Sequence, residues 1–342
     1  MNAPKIFSLP LGFLVIAGSA HANDPNFAYR GPVFDSFIHD SFKNAGRSDD
    51  SVFYAVMNER SQSGVGTTWD KWITQAKKSS RGASADTARA TAASVWRLMK
   101  HTVTKFSLDR GFEFSNLVKL NERQCFLQSV ILAGALQKAG YRAGVVMVWR
   151  NPEGQTSNNG HAVTVMHLSG NRDILVDCSE TAPFPQHTGL FMRDGAGYRY
   201  VLPQYAKDSS ITGYRPQSGG KLIPTSKLST LDIPFLRSQF DYYRGERTVD
   251  GILARSPTKP GLAESERWLR RSLAENPGNP LSRAVLLDTL REEGRLAEAE
   301  HERKAALALY IRYGWVPSRL KAPVVTAEMS PPANASTPGP TK

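Results

Sequence analysis

The sequence of 342 residues is poor in cysteine and lacks the short motifs that mark most metal and phosphate sites. Its two cysteines, Cys125 and Cys178, can form at most one bridge, which excludes a fold held together by several disulfides. No His-Glu-x-x-His or Cys-x-x-Cys spacing occurs, and no glycine-rich phosphate loop is present. The sequence therefore predicts neither a metal nor a cofactor.

Long apolar stretches are also missing, except at the N-terminus. There, Lys5 precedes an uncharged apolar run over residues 6–20, and Ala20-His21-Ala22 fits the small-x-small pattern of a cleavage site. The run is short for a membrane span, and no other stretch approaches the roughly 18 apolar residues of a spanning helix. We predict a signal peptide over residues 1–22 and a periplasmic or secreted mature protein with no membrane span. An uncleaved N-terminal anchor is the alternative.

Acidic residues are outnumbered by basic ones. The chain has 43 Lys and Arg against 31 Asp and Glu, a formal net charge of +12. In an exported protein this balance favours anionic neighbours, such as a cell-wall or surface polymer, lipid head groups or an acidic protein. A charge that serves solubility alone is the alternative. Because no basic run with interleaved aromatics and no nucleic-acid motif occurs, nucleic acid is not an expected partner.

The most informative part of the chain lies between residues 85 and 180. Apolar residues at helical spacing predict two helices there, the second rich in aliphatic side chains and ending at Gly140. Valine-rich segments predict strands, and the short connection between the last two strands predicts a hairpin. The predicted elements are helices at 86–105 and 125–140 and strands at 142–149, 161–168 and 174–178.

Three residues in this part form a pattern suited to cysteine catalysis. Cys125 lies at the predicted start of the second helix, where unpaired backbone N–H groups favour a thiolate. His161 begins one strand of the hairpin and Asp177 lies near the end of the other, so antiparallel pairing can join imidazole and carboxylate. Because side chains alternate between faces, they share a face only if the hairpin loop has an odd number of residues. The sequence around Ser169–Asn171 permits both an odd and an even loop.

Three segments resemble the transglutaminase-like superfamily, and they occur in the order typical of that family. They are RQCFLQSVILAGALQKAGYRAGVVMVW (residues 123–149), NNGHAVTVMHL (158–168) and ILVDCSE (174–180). The shared features are a Cys at a helix start, an aliphatic helix ending in Gly, a strand, His-Ala on the next strand and Asp on the strand after it. The resemblance implies an α+β fold with a papain-like core, in which a helix packs on an antiparallel sheet.

The resemblance also implies a role for each of these residues. Cys125 would be the nucleophile, His161 the general base and acid, and Asp177 the group that orients the imidazole and stabilises the imidazolium. The Cys125 backbone N–H would donate a hydrogen bond to the oxyanion. The candidates for a second, side-chain donor to the oxyanion are Gln124 and Trp96.

Two alternatives stay open for Cys125. It is either a buried structural thiol or half of a disulfide with Cys178, which an oxidising compartment permits. Cys178 also stands where the family usually has a proline after the aspartate. The other histidines, His187 among them, have no partner pattern in the sequence and are interpreted as structural.

Residues 23–230 are predicted to form the transglutaminase-like domain, with its core at 85–180. Within it, residues 23–80 show scattered aromatics and little readable pattern. Beyond Pro183 the sequence is rich in Pro, Gly and Tyr and has little periodicity.

A helical domain is predicted over residues 231–318. It begins with a helix at about 233–253, and two segments of equal length, 246–279 and 280–313, resemble tetratricopeptide repeats. A generic helical hairpin is the alternative. Residues 319–342, rich in Pro, Ala, Ser and Thr, are predicted to be a disordered tail.

The sequence therefore predicts an exported, cysteine-dependent acyl-transfer enzyme. Its thiolate would attack an amide carbonyl, and water would resolve the acyl-thioester, as in a peptidase or amidase acting on a protein or peptide. Transfer to an amine stays open, and the repeats would recruit a partner protein or the substrate. A different class is a catalytically inactive transglutaminase-like scaffold that mediates protein–protein interaction. Action on an anionic polysaccharide is suggested by the positive charge alone.

Overall fold

The chain folds as a mixed α/β protein in a computed structural model that describes residues 27–322, apart from the side chains of 157–159. The predicted signal peptide and most of the predicted tail lie outside the described residues. The described helices are α1 (Pro32–Asn44), α2 (Val52–Val65), α3 (Trp69–Ser80), α4 (Ala85–Thr102), α5 (Phe114–Leu120), α6 (Cys125–Lys138), α7 (Ile233–Glu246), α8 (Lys259–Glu275), α9 (Pro280–Glu292) and α10 (Leu296–Tyr313). The described strands are β1 (Lys105–Phe106), β2 (Glu122–Arg123), β3 (Ala143–Arg150), β4 (Thr156–Leu168), β5 (Arg172–Val176), β6 (Gly189–Asp194), β7 (Gly197–Tyr205) and β8 (Ile211–Pro216).

Six of the strands close into an antiparallel barrel, in the order β3-β4-β5-β8-β7-β6. Pairing of β6 with β3 completes the ring, and β1 and β2 form a separate small parallel sheet. The prediction of helices with an antiparallel sheet is confirmed at this level, and so is the hairpin of β4 and β5. Closure of the sheet into a barrel does not follow from the sequence pattern.

Strand β3 is buried on both faces, which explains its valine-rich sequence. Val146 and Val148 belong to the apolar interior of the barrel, to which all six strands contribute side chains. Val145 and Met147, on the opposite face, join the larger core shared with the helices. The barrel wall therefore separates two apolar layers.

Helix α6 lies against β3 and β4 and carries the predicted nucleophile at its start. It is buried continuously from Cys125 to Leu136, as expected for a helix that is apolar on all sides. On its far side it contacts α3 and α4, and the backbone N–H of Tyr29 donates to the Gly134 carbonyl at 2.9 Å. Packing on every side fixes the position of the helix start.

The N-terminal segment, which has little readable sequence pattern, forms α1, α2 and α3. Its aromatic residues pack as one group: the ring of Phe34 lies 5.3 Å from Tyr29, 6.4 Å from Phe53 and 5.7 Å from Phe114, between centroids. Such aromatic pairs contribute about 0.5–1.5 kcal/mol each beyond the area they bury. Within the described part of the chain, none of the helices is long and apolar enough to cross a membrane.

Strands β6, β7 and β8 occupy the Pro-, Gly- and Tyr-rich part of the chain in which no strand is predicted. A two-residue turn beginning at Gly195 joins β6 to β7. The two central residues of the turn are Gly195 and Ala196, and Gly195 has the positive φ of 59° that a type II′ turn requires at its first central position. Pro203 and Pro216, which lie within β7 and β8, obscure the strand pattern in the sequence.

The structure of the helical region differs from the prediction in its first half. α9 and α10 form a helical hairpin over 280–313, the bounds predicted for the second repeat. The segment 246–279 is not a helix pair, because it contains α8 alone, and α8 packs against the preceding α7. α7 ends at Glu246, and Asp250 has a φ of 54°, which is incompatible with a continuing helix.

The ordered chain also extends past the predicted start of the tail. Ser318–Leu320 form a short 3-10 helix, and the Leu320 side chain is buried. The Leu320 carbonyl accepts a hydrogen bond from Arg303 Nη1 of α10 at 2.8 Å. The prediction of disorder is therefore wrong for residues 319 and 320.

Gly144 on β3 provides a test of how closely the barrel packs against the segment before α7. A Cβ at Gly144 would lie 2.1 Å from Thr230 Oγ1, and the next residue along, Leu231, is hydrogen-bonded to the Val145 carbonyl at 2.9 Å. Since Thr230 is buried and tethered, we expect Gly144→Ala to lower the free energy of unfolding by roughly 1–3 kcal/mol, measured by urea denaturation. Gly197→Ala is the control, because a Cβ there meets nothing closer than 4.0 Å. Equal stability of the two variants would contradict the prediction.

Candidate active site

Cys125 is the first residue of α6. The residue before it, Gln124, is extended (φ −126°, ψ 162°) and makes no side-chain cap hydrogen bond. The N–H groups of the first turn therefore point toward the region of the thiol without a capping side chain, and the helix dipole favours a negative charge there. This is the environment predicted for the nucleophile. Cys125 itself is 4% exposed.

The hairpin of β4 and β5 brings His161 and Asp177 together. Leu168 pairs with Arg172, so the loop has three residues, and the alternation of side chains places His161 and Asp177 on one face. The odd-loop condition is therefore met, and within the loop Gly170 and Asn171 adopt positive φ values of 75° and 53°. His161 Nε2 lies 2.8 Å from Asp177 Oδ2.

The Cys125 thiol lies beside the imidazole of His161 and contributes to raising its pKa. Because Asp177 occupies Nε2, the nitrogen left for the thiol is Nδ1. The side chain of His161 is 22% exposed, whereas that of Asp177 is fully buried. Asp177 thus holds one nitrogen of the imidazole and leaves the other for Cys125, with the imidazole at the solvent-facing side.

The electrostatics of the site favour a positively charged His161 beside an ionised Asp177. Burial lowers the pKa of His161, but the hydrogen bond to Asp177 and the nearby Cys125 thiol outweigh it, and the pKa lies well above its usual value. Burial raises the pKa of Asp177, but the hydrogen bonds from His161 and His187 outweigh it and hold the pKa well below its usual value. Asp177 therefore stays ionised and keeps His161 positively charged.

His187 is part of the site, although the sequence gives it no partner. Its Nε2 lies 2.9 Å from Asp177 Oδ2, the same oxygen that binds His161, and the residue is 1% exposed. The two imidazole rings meet edge to face, with centroids 5.2 Å apart. Tyr205 holds the His187 backbone by donating its hydroxyl to the carbonyl at 2.7 Å. The sequence shows no partner for His187; the structure gives it Asp177, because loop 177–188 folds back over the carboxylate.

Further hydrogen bonds fix the position of Asp177. Its Oδ1 accepts from the Ser179 backbone N–H at 2.8 Å, and its carbonyl accepts from Trp96 Nε1 at 2.8 Å. The single N–H of Trp96 is thus engaged in holding the aspartate rather than directed at an oxyanion. Gln124, the other candidate donor, is buried, and its Nε2 makes a long contact of 3.4 Å to the Leu108 carbonyl.

Cys178 does not bridge to Cys125, and both thiols are free. Cys178 is buried in the core, with Sγ 3.8 Å from the Trp96 carbonyl. Burial raises the pKa of the Cys178 thiol far above its usual value. An unreactive Cys178 beside a catalytic candidate at Cys125 makes a built-in comparison for labelling experiments.

The side chains of His161, Asp177 and His187 are also the group of possible metal ligands found among residues 27–322, with donor atoms within 4.8 Å of one another. Both imidazole contacts to Asp177, at 2.8 and 2.9 Å, have the length of N–H···O hydrogen bonds. Each bond needs a proton on Nε2, whereas a metal needs the bare nitrogen. The hydrogen-bonded network and metal ligation are therefore mutually exclusive uses of these residues.

No protein-family model matches this chain, and no curated protein is significantly similar to it. Function must therefore be inferred from the residues of the site and their contacts.

Proposed function

We propose that this protein is a cysteine-dependent acyl-transfer enzyme of the transglutaminase-like type, acting in the periplasm or outside the cell as a peptidase or amidase. The observation that carries the proposal is the arrangement of Cys125, His161 and Asp177, in which His161 is hydrogen-bonded to Asp177 and lies beside a thiol at a helix N-terminus. A nucleophile, a base and a group that orients the base are the components that covalent acyl transfer needs.

The geometry supports a two-step reaction. The Cys125 thiolate attacks the carbonyl carbon of an amide, and the backbone N–H groups at the start of α6 stabilise the oxyanion of the tetrahedral intermediate. His161 Nδ1, protonated in the resting pair, gives its proton to the leaving amine as the C–N bond breaks. His161 then takes a proton from water, which attacks the thioester and releases the carboxylic acid and the thiolate. Asp177 keeps the proton on Nε2 throughout.

The proposed substrate is a protein or peptide, with water as the acceptor. The positive charge of the chain favours a substrate or neighbour with acidic groups, such as a cell-wall peptide or polymer. The hairpin of α9 and α10 is proposed to bind a partner protein or the substrate, because paired helices of this kind present an extended surface for such contacts.

The first experiment measures how fast iodoacetamide alkylates Cys125 over about pH 5–8, the range below the usual thiol pKa of roughly 8.5. Labelling is assigned by peptide mass, with the buried Cys178 as the internal control. We expect Cys125 to react at the acid end of the range and His161→Ala to slow that reaction by about tenfold or more, since one pKa unit changes the thiolate fraction tenfold.

Two outcomes would contradict the proposal. One is a Cys125 profile that rises with pH as an ordinary thiol does, and the other is an identical profile in the His161→Ala variant. Either result would favour the inactive scaffold, in which the helices alone carry the function.

A further inference from the structure

Tyr243 of α7 touches the chain neighbours of both catalytic candidates. Its hydroxyl donates a hydrogen bond to the carbonyl of Gly160, the residue before His161. Its ring lies 5.6 Å, between centroids, from Phe126, the residue after Cys125. Tyr243 is fully buried and is also stacked on Phe112 at 5.6 Å. A side chain from the helical region therefore lies between the strand that carries the base and the helix that carries the nucleophile.

Gly160 has the backbone conformation and the lack of a side chain that this contact requires. Its φ is +65°, and a Cβ there would stand 3.2 Å from Tyr243 Oη, Gln239 Nε2 and Leu281 Cδ1 alike. These three side chains come from α7 and α9, so two helices cover the peptide that leads into His161. The part of β4 that carries His161 is thus held from outside the barrel.

Asn279 extends the same contact into the helical hairpin. Its Oδ1 caps α9 by accepting from the Leu281 backbone N–H at 3.1 Å, while its Nδ2 donates to Gln239 Oε1 at 3.1 Å. Asn279 and Gln239 are both fully buried. A buried amide network therefore joins the N-terminus of α9 to the part of α7 that faces Gly160.

We propose that Tyr243 is a positioning residue for His161, so that the helical region completes the active site rather than being an independent module. This inference rests on the proposed function. The hydroxyl of Tyr243 fixes the Gly160–His161 peptide, and this fixes the direction in which His161 Nδ1 faces Cys125. No proton transfer to or from Tyr243 is involved.

The chemistry of the phenol suits this role. Burial, followed by the nearby charge of Cys125, raises the pKa of Tyr243 well above its usual value. The hydroxyl therefore stays protonated and able to donate to Gly160 at every pH at which a thiolate–imidazolium pair would react. Only loss of the oxygen atom removes the contact.

The test is Tyr243→Phe, which removes that oxygen and keeps the ring between Phe112 and Phe126. The matched control is Tyr242→Phe, because Tyr242 is equally buried and donates its hydroxyl at 2.6 Å to Glu246, not to the site. We expect Tyr243→Phe to slow alkylation of Cys125 at about pH 6 by at least about fivefold and to shift the pH profile toward that of His161→Ala. Tyr242→Phe is expected to keep the wild-type profile.

A second measurement separates positioning from general loosening. In the His161→Ala background, Tyr243→Phe is expected to change the rate less than about twofold, because the residue through which it acts is gone. Equal slowing with and without His161, or equal profiles for Tyr243→Phe and Tyr242→Phe, would overturn the inference while leaving the proposed function standing. A wild-type profile that does not depend on His161 would overturn the proposed function and this inference with it.

Discussion

Replacing Asp177 by asparagine is expected to slow the alkylation of Cys125 at about pH 6 by one to two orders of magnitude. The carboxylate accepts hydrogen bonds from Nε2 of both His161 and His187, and its other oxygen accepts from the Ser179 backbone N–H. An asparagine that keeps the Ser179 bond turns its NH₂ group toward the two imidazoles. His161 must then lose the proton from Nε2, and the neutral ring no longer stabilises a thiolate. Each tenfold loss of rate corresponds to a tenfold smaller thiolate fraction at this pH.

Asp173→Asn is the matched control. Asp173 is equally buried and holds a different histidine, with Oδ1 2.6 Å from His167 Nδ1 and Oδ2 2.6 Å from Tyr214 Oη. It lies at the other end of β5, away from Cys125. Both variants are expected to lose stability, but Asp173→Asn should keep the wild-type alkylation profile. A wild-type profile in Asp177→Asn would show that the carboxylate does not act on the thiol through His161.

Cys125, His161 and Asp177 are the part of the site that the sequence can predict. A helix start and the two strands of a hairpin are local features that follow from periodicity and turn residues over a few positions, although β4 begins at Thr156, before the predicted start at His161. Whether the hairpin loop has an odd or an even number of residues is not decided by the local sequence. Gly170 and Asn171 are compatible with loops of either parity, and the structure selects three residues because that register buries Met166 and Ile174 against the helices.

The contacts of His187 and Tyr243 cannot be predicted from local sequence patterns. His187 meets Asp177 because loop 177–188 returns over the carboxylate and Tyr205 of β7 holds it there. Tyr243 meets Gly160 because α7 docks beside the barrel, 83 residues further along the chain. Contacts of this kind depend on closure of the barrel and on helix docking, which no local pattern encodes.

The strands of the barrel also divide into those that the sequence predicts and those that it does not. β3, β4 and β5 are predicted because their apolar residues are dense. β6, β7 and β8 are missed, since Pro203 and Pro216 break the pattern at positions that β-pairing tolerates. The prediction for the helical region fails in its first half. The second repeat has the predicted length, but the first is displaced because α8 pairs with α7, which begins at Ile233.

The contribution of the site to stability is expected to depend on pH at both ends of the range. The pKa of Asp177 is lowered on folding, so its contribution is complete above the unfolded value of about 3.9 and is lost as the pH falls through the folded value. The pKa of His161 is raised, so its contribution is complete below about 6.5 and is lost as the pH rises through the folded value. The two contributions coincide between about pH 4 and 6.5.

We therefore expect the difference in unfolding free energy between the wild type and Asp177→Asn to be largest near about pH 5, at roughly 3 kcal/mol for a buried pair, and to shrink toward about pH 2 and pH 10. Urea unfolding at these three pH values measures it. His161→Ala should retain the acid dependence, because His187 still donates to Asp177, and should lose the alkaline dependence. A difference that is constant across the range would mean that Asp177 and His161 do not form a charged pair in the folded protein, and the mechanism that depends on the pair would fail with it.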